Sequence, residues 1–331
     1  MKAIIWTKYG PPEVLKLKEV EKPVPRDNEV LIKVFAATVT PGDCEIRRFE
    51  IHILFWLPLR LYFGIRKPRI PILGMEVAGE IESVGKDVSG FKIGDQVFGG
   101  TGFQFGAYAE YVCIRDSGLL TLKPKGISYE EAATIPTGGL NALHYIRKAD
   151  IQPGQKMLIN GAGGCFGTYA VQLAKNLGSE VTAVDSSEKL DLLRALGADH
   201  VIDYTQEDFW KNGKYYDIIF DVVGKGSVSL AMKSLTPNGR YILATPWVIP
   251  VLQGLWSSIT SGKKFIFALA KESPEDLNFF KELIDTGKVK PVIDKHYPLE
   301  KMEEAHRYVE EGTKTGHVVI TIAKNDGISS N

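Results

Sequence analysis

The feature that most constrains the fold is a glycine-rich segment between a strand pattern and a helix pattern. It spans Met157–Lys175, MLINGAGGCFGTYAVQLAK, and the next apolar run, VTAVD, ends at Asp185. A strand that runs through glycines into a helix presents the unpaired first N–H groups of that helix to a phosphate. Gly164 lets the backbone approach a pyrophosphate, Gly167 lets the helix pack close to the strand, and an acid about 20 residues further on usually accepts ribose hydroxyls. The segment therefore predicts a dinucleotide-binding turn.

Strand and helix patterns alternate from about Glu130 onwards, which predicts a parallel sheet with right-handed crossovers. The strand patterns lie at Met157–Asn160, Val181–Val184, His200–Ile202, Asp217–Asp221, Arg240–Ala244 and Lys264–Leu269. Residues 1–125 instead carry short strand patterns separated by Pro, Gly and Asp turn signals, and the chain returns to a strand pattern in HVVITI. We therefore predict an α/β protein with a doubly wound domain at 126–269. A second, discontinuous domain is predicted from 1–125 and 270–331, with a cleft between the two.

Composition excludes several classes of function. The chain has 331 residues, 44% of them hydrophobic and 24% charged, which is typical of a globular protein. Forty basic and forty acidic residues cancel, so no overall field recruits nucleic acid or an anionic membrane. Three cysteines far apart in sequence form neither a disulfide framework nor a structural zinc site, which favours a reducing, cytoplasmic location.

One stretch in the first part of the chain is strongly apolar. Ile51–Ile65, IHILFWLPLRLYFGI, is too short to span a bilayer, and Pro58 and Arg60 interrupt it, so we predict no integral membrane segment. It is either a partly buried helix or loop of the core, or an exposed aromatic element. As an exposed element it would be a lid over a substrate pocket or a contact with a membrane or a partner.

A series of further motifs follows in one order along essentially the whole chain. It runs KAIIWTKYGPPEVLKL, EVLIKVFAATVTPGDCEIR, ILGMEVAGEIESVG, FKIGDQV, FGAYAEYV, EEAATIPTGGLNAL, the glycine turn, LGADHVIDYTQEDF, YDIIFDVVG and PLEKMEEAH. In this order the motifs resemble the medium-chain dehydrogenase/reductase superfamily, in its zinc-free quinone-oxidoreductase-like branch. The resemblance implies a GroES-like β-barrel catalytic domain, a Rossmann domain and hydride transfer with a nicotinamide cofactor. It also implies a homodimer formed through the edge strand near Lys264–Ala268.

The resemblance allows the zinc ligands to be checked position by position. Zinc-dependent members carry a cysteine three residues before an early aspartate, here Asp43, and a histidine in a G-H-E-x-x-G motif. These positions hold Thr40 and Met75, which leaves Glu76 without its partners, and Cys44 is the one displaced ligand available. Catalytic zinc needs about three protein ligands, so we predict no metal site.

Without a Lewis acid, reduction of a polarised acceptor is the favoured chemistry. Hydride adds to an electron-poor carbon of a quinone or α,β-unsaturated carbonyl, and hydrogen-bond donors stabilise the charge on oxygen. The predicted catalytic residues are Thr40, Asp43 and Tyr62. A zinc-type alcohol dehydrogenase with altered ligands, or a non-enzymatic binding protein gated by cofactor, remain alternatives at this point.

The cofactor residues follow from the turn, from the resemblance and from the carboxyl ends of the strands. They are Ala162, Gly163, Gly164, Cys165, Phe166, Gly167, Asp185, Ser186, Lys189, Tyr204, Val223, Ala244, Thr245 and Phe267. Asp185 favours NAD(H), because a carboxylate repels a 2′-phosphate. Lys189 and Tyr204 match positions that hold the 2′-phosphate in NADP(H)-using relatives, so the choice between NADP(H) and NAD(H) stays open.

Overall fold

The chain divides into two compact units, in a computed structural model that describes residues 1–51, 53–224, 226–244, 248–268 and 270–323. The first unit comprises Met1–Thr137, Ser273–Asp285 and Pro291–Asn331, and the second comprises Gly138–Glu272 and Thr286–Lys290.

The helices and strands of the described residues alternate from the middle of the chain onwards. The strands are β1 Lys2–Trp6, β2 Leu15–Glu19, β3 Glu29–Val39, β4 Glu76–Val84, β5 Gln96–Gly100, β6 Tyr111–Arg115, β7 Leu119–Leu122, β8 Lys156–Asn160, β9 Glu180–Asp185, β10 His200–Asp203, β11 Tyr216–Asp221, β12 Leu235–Leu243, β13 Lys264–Phe267, β14 Ile293–Pro298 and β15 His317–Thr321. The helices are α1 Pro41–Arg48, α2 Ile53–Phe63, α3 Tyr129–Ala133, α4 Leu140–Ala149, α5 Cys165–Asn176, α6 Leu190–Ala195, α7 Val228–Lys233, α8 Val248–Ser261, α9 Pro274–Asp285 and α10 Met302–Glu311.

The second unit contains a six-stranded parallel sheet in the order β10-β9-β8-β11-β12-β13. The central strand β8 pairs with β9 on one side and β11 on the other, and the four residues from Met157 to Asn160 are buried. Burial on both faces explains why this strand reads as a continuous apolar run rather than an alternating one. The predicted doubly wound sheet and its six strands are confirmed.

The first unit contains a two-stranded sheet, β1-β2, and a seven-stranded sheet. The larger sheet follows the path β14-β15-β3-β4-β5-β7, and β6 pairs with β3. Its pairs are antiparallel except for the parallel pair β14-β15. The core under these strands includes Trp6, Ile32, Phe63 and Ile81, all of them buried.

Two segments extend the units beyond the predicted limits of 125 and 269. The short helix α3 packs against β3 and β4, which places it in the first unit. The side chains of Gln172 and Asn176 donate to the carbonyl oxygens of Lys290 and Lys288, each at 2.9 Å, which ties Thr286–Lys290 to the second unit.

The apolar stretch near residue 60 forms the helix α2. The outward side chains of α2 are exposed rather than partly buried in the core, with Ile53 77% and Leu57 60% exposed. Among the described residues, no helix is long and apolar enough to cross a membrane.

Candidate cofactor and catalytic sites

The glycine turn of the second unit joins β8 to α5. Gly161 follows β8 with a φ of +83°, a left-handed conformation that favours glycine. The N–H groups of Gly161 and Ala162 both donate to the carbonyl oxygen of Val184, at 3.0 and 3.1 Å. This pair of bonds fixes the turn to the end of β9.

Helix α5 begins without a side-chain cap. Gly164 occupies the N-cap position, makes no side-chain bond to the helix, and is followed by the half-buried Cys165 and Phe166. A Cβ on Gly164 would lie 3.5 Å from the Gly161 oxygen and, apart from its chain neighbours and its own helix, would meet no other described atom within 4 Å. An uncapped N-terminus beside a residue with no side chain fits a pyrophosphate group, because the anion itself can accept from the first helical N–H groups.

Gly167 has a different part in the turn. A Cβ there would lie 2.3 Å from the Gly161 oxygen and 2.5 Å from the Ala162 Cα, and both neighbours are backbone atoms. Only glycine lets α5 pack this close to the turn, as the sequence predicted.

The carboxylate of Asp185 holds the turn and the start of the next helical segment together. It accepts from the N–H of Gly163 at 2.7 Å and from the N–H of Ser186 at 2.9 Å, and it pairs with the Lys189 ammonium at 3.2 Å. Both charged side chains are less than one-tenth exposed. Tyr204 lies at the same end, since its N–H donates to the Asp185 carbonyl at 3.2 Å while its side chain is exposed. The structure therefore brings these predicted residues together around the carboxyl end of β9.

The carboxyl ends of β11 to β13 lie along the same edge of the sheet. A Cβ on Gly161 would lie 2.7 Å from Val223 Cγ2, so the loop after β11 borders the glycine turn. Ala244 and the partly exposed Phe267 lie at the ends of β12 and β13. The predicted contact Thr245 falls outside the described residues.

Two side chains that organise this edge were not predicted from the sequence. The buried Asp221 accepts at Oδ1 from the N–H groups of Val223 (3.1 Å) and Gly224 (2.9 Å), and at Oδ2 from the Tyr241 hydroxyl (2.9 Å). Tyr145 on α4 donates its hydroxyl to the carbonyl oxygens of Ala244, at 3.2 Å, and of Ala268, at 2.9 Å. An acid that ends an apolar strand, as in YDIIFD, was the available signal for Asp221.

The predicted catalytic residues Thr40 and Asp43 form the capping box of α1 in the first unit. The Thr40 hydroxyl donates to Asp43 Oδ2 at 2.6 Å and accepts from the Asp43 N–H at 3.1 Å, while the Thr40 N–H donates to Asp43 Oδ2 at 2.9 Å. Burial raises the pKa of Asp43 to about 6, although the bonds from Thr40 favour its charged form.

The two positions at which the resemblance places zinc ligands in metal-dependent members, Thr40 and Met75, both lie close to Gly42. A Cβ on Gly42 would lie 3.6 Å from Thr40 Oγ1 and 3.8 Å from Met75 Cε. The neighbouring Glu76 is fully buried and already bonded, since its carboxylate accepts from the Thr38 hydroxyl and, at 2.6 Å, from the Thr137 N–H. Burial raises the pKa of Glu76 to about 7. A hydroxyl, a thioether and one engaged carboxyl do not fit the three ligands of a catalytic zinc site.

Cys44 is not placed as a displaced ligand. Its Sγ lies 3.3 Å from Nδ1 of the buried His306, and burial raises the pKa of the thiol and lowers that of the imidazole. Both groups are thereby held neutral. Over the described part of the chain, no cluster of three or more His, Cys, Asp or Glu side chains could hold a metal ion.

Tyr62 lies on α2 with its side chain about half exposed. Its hydroxyl donates to the carbonyl oxygen of Phe103 at 3.3 Å, and its ring contacts Phe63 and Phe103 edge-on. A part in proton transfer would require this hydroxyl to leave the carbonyl, so its catalytic role stays a prediction.

Two family models match parts of the chain. One family model, described as an alcohol dehydrogenase GroES-like domain, matches residues 26–124, and another, described as a zinc-binding dehydrogenase, matches residues 196–320. The first match confirms the predicted GroES-like domain.

Relatives and solved structures match over nearly the whole length. The 2-methylene-furan-3-one reductase of Solanum lycopersicum is 35% identical, covering 97% of this chain and 79% of the relative. The chloroplastic NADPH-dependent alkenal/one oxidoreductase of Arabidopsis thaliana is 33% identical, with coverage of 97% and 79%. The structure of the quinone oxidoreductase from Coxiella burnetii is 30% identical with a TM-score of 0.87, covering 98% of this chain and 99% of that chain. The chain therefore belongs to the medium-chain dehydrogenase/reductase superfamily, in its quinone-oxidoreductase-like branch.

Proposed function

We propose that this protein is an NAD(P)H-dependent reductase of quinones or α,β-unsaturated carbonyls. The observation that carries the proposal is the uncapped N-terminus of α5 behind Gly164, which fits a dinucleotide pyrophosphate. The names of the relatives support the same chemistry, because they include an alkenal/one oxidoreductase and a quinone oxidoreductase. The cofactor supplies a hydride to the electron-poor carbon of the acceptor.

We propose that NADPH is the preferred cofactor. Asp185 would repel a 2′-phosphate if its charge were free, but the Lys189 ammonium lies 3.2 Å from it and largely cancels that charge. Two backbone N–H groups also occupy the carboxylate, which leaves it less able to accept from a ribose. The Lys189 ammonium has three N–H donors, so it can stay paired with Asp185 and also donate to the 2′-phosphate. The NADPH-dependent relative supports this assignment.

We propose that the reaction proceeds without zinc and that Thr40 donates to the substrate oxygen. Thr40 and Met75 stand where metal ligands would be needed, so hydrogen bonding must stabilise the charge that develops on oxygen. The Thr40 hydroxyl is bonded to Asp43, whose pKa is raised to about 6, so that its carboxyl is protonated in a minor fraction of the protein at neutral pH and in most of it below about pH 6. The Thr40 hydroxyl would donate its own proton to the enolate or hydroquinone oxygen and take a replacement from the protonated carboxyl of Asp43, which would regain its proton from solvent before the next turnover. Tyr62 is the second hydroxyl predicted for this role.

The domain assignment and the assembly are part of the same proposal. We assign catalysis to the GroES-like unit and cofactor binding to the Rossmann unit. We also propose a cytoplasmic homodimer that pairs β13, the edge strand of the six-stranded sheet, with its counterpart in a second copy. Light scattering coupled to gel filtration tests the dimer, and a monomer at micromolar concentration would contradict it.

The experiment for the reaction is a turnover assay with NADPH or NADH against quinones, enones, aldehydes and primary alcohols. We expect oxidation of NADPH with quinones or enones, no alcohol oxidation with NADP⁺, and no loss of activity after treatment with a chelator. Stoichiometric zinc in elemental analysis would favour an alcohol dehydrogenase instead. Normal cofactor binding with no turnover on any acceptor would favour a binding protein.

A further inference from the structure

The helix α2 has an apolar side that no described residue covers. Ile53, Leu57 and Leu61 follow one another at four-residue spacing, so they lie on one side of the helix. They are 77%, 60% and 51% exposed. A helix that is apolar on all sides is normally buried, whereas solvated helices carry polar residues outward. This side of α2 is therefore exposed to solvent although its residues are apolar.

Another side of α2 is packed against the first unit. Phe63 is completely buried, with its ring centroid 6.5 Å from those of Trp6 and Phe49 and 5.6 Å from that of Phe105. The Trp56 ring contacts Phe49 edge-on at 5.9 Å. These contacts anchor the helix to the first unit, so the outward side does not belong to the core of that unit.

The polar groups of α2 are bonded within the unit. Arg60 donates through Nε to the Ile65 carbonyl at 2.9 Å, and its guanidinium lies over the Tyr9 ring at 3.8 Å and over the Phe49 ring at 4.6 Å. The Tyr62 hydroxyl donates to Phe103. Each group thus has a partner within the unit, and the charged guanidinium of Arg60 would stay at the level of the headgroups while the apolar side chains enter the acyl region.

A cationic segment directly follows the helix. Arg66, Lys67 and Arg69 are exposed, and no acidic residue occurs between Glu50 and Glu76. None of the three cations forms an ion pair within the described chain. In a protein with no net charge, this segment gives one end of α2 a locally positive field.

We propose that α2 docks the first unit on an anionic lipid bilayer. The helix lies in the plane of the interface, with Ile53, Leu57 and Leu61 among the acyl chains and the cations of residues 66–69 at the headgroups. Exposed apolar side chains beside clustered Lys and Arg are the combination that binds such surfaces, because acyl burial and attraction to anionic lipids add. The proposal does not depend on the reaction proposed above.

The test is sedimentation of the full-length protein with vesicles of phosphatidylcholine, with or without phosphatidylglycerol. We expect binding to the mixed vesicles that weakens with salt and little binding to phosphatidylcholine alone. The double variant Leu57→Gln/Leu61→Gln should bind at least about tenfold more weakly, since each leucine loses its transfer to hydrocarbon. The affinity of Arg66→Gln/Lys67→Gln for the mixed vesicles should fall on the order of tenfold at low salt. At high salt it should equal that of the unchanged protein, because the attraction is screened there.

Matched controls replace equally exposed residues elsewhere in the unit. Val24→Gln/Ile93→Gln alters two exposed apolar residues, and Lys8→Gln/Lys18→Gln alters two exposed lysines. Both should bind vesicles as the unchanged protein does. All variants should keep their melting temperature, because the altered side chains are exposed.

Tryptophan fluorescence tests directly whether α2 enters the bilayer. Tryptophan fluorescence should shift to the blue on vesicle binding and be quenched by brominated lipid, and Trp56→Phe should reduce both effects. Absence of binding to anionic vesicles would overturn the proposal. So would a Leu57→Gln/Leu61→Gln variant that binds normally but has a raised KM for a water-soluble enone, since α2 would then be a substrate lid.

Discussion

The Lys189 ammonium and the Asp185 carboxylate form an ion pair of 3.2 Å in which both side chains are nearly buried. The same carboxylate accepts from the N–H of Gly163 in the glycine turn. The pair thus links the charge that would recognise a cofactor phosphate to the turn that would hold the pyrophosphate.

Lys189→Met should weaken NADPH binding while leaving NADH binding nearly unchanged. A charged hydrogen bond to phosphate contributes about 1.5–3 kcal/mol, so we expect the Kd for NADPH to rise roughly tenfold to a hundredfold. Calorimetric titration with both cofactors measures the difference. Lys233→Met, which removes an exposed lysine of the same unit, is the control. Equal losses for NADPH and NADH would show that Lys189 only supports the turn.

Two alanine substitutions in the turn should have separable effects. Gly164→Ala places its Cβ in ordinary contact, 3.5 Å from one oxygen, at a φ of −84° that alanine adopts, so the melting temperature should stay unchanged while cofactor affinity falls. Gly167→Ala places its Cβ within 2.5 Å of backbone atoms and should lower the free energy of unfolding by about 1–3 kcal/mol.

Urea unfolding and calorimetric titration with NADPH distinguish the two effects. Gly90→Ala is the control, because a Cβ there meets nothing within 4 Å. Unchanged cofactor affinity in Gly164→Ala would contradict a pyrophosphate at the start of α5.

The periodicity of apolar residues was sufficient to predict the sheet of the second unit, and the glycine pattern was sufficient to predict the close packing at Gly167. Strands such as β8 and β11 are buried on both faces, so they stand out as apolar runs between turn signals. The tight approach of Gly167 to Gly161 follows from a known turn geometry, which a local pattern can carry.

The hydrogen-bond and ion-pair partners of the site residues could not be predicted in the same way. Asp185 was interpreted as a ribose acceptor, but its bonds to Gly163 and Lys189 depend on where three chain segments meet. The part of Tyr145 could not be predicted from local sequence, because its two carbonyl partners lie about a hundred residues away along the chain. The Thr40–Asp43 capping box, by contrast, resembles the S/T-x-x-E/Q signature closely enough that the sequence T-P-G-D could have indicated a helix start.

Replacing Thr40 by asparagine should separate its part in capping from its part in catalysis. Asparagine caps helices as well as serine or threonine, so the free energy of unfolding should change by no more than about 0.5–1 kcal/mol. The hydroxyl is lost, so kcat should fall by about a hundredfold or more, whereas Thr40→Ser should keep most of the activity.

Ser128 provides a matched control for this substitution. It caps α3 through the same reciprocal bonds, here with Glu131, and Ser128→Asn should leave both stability and kcat nearly unchanged. A Thr40→Asn variant with normal kcat would show that Thr40 is only a helix cap.

The buried carboxyl of Glu76 should make stability fall as the pH rises. Burial raises its pKa from 4.5 to about 7, so the folded state holds this proton over a range in which the unfolded chain has released it. Its contribution is therefore fully present below about pH 4.5 and is lost as the pH rises through about 7. Glu76→Gln imitates the protonated form, since its amide can donate to Thr38 and accept from Thr137.

Urea unfolding at about pH 5 and about pH 8 measures this effect. On going from about pH 5 to about pH 8, the free energy of unfolding of Glu76→Gln should rise by on the order of 3 kcal/mol relative to that of the unchanged protein. Glu80→Gln, on the same strand but only half-buried, should show no such gain. Because Asp43 also has a raised pKa, some loss of stability with rising pH should remain in Glu76→Gln. The same pH dependence in both proteins would mean that Glu76 is ionised in the folded state.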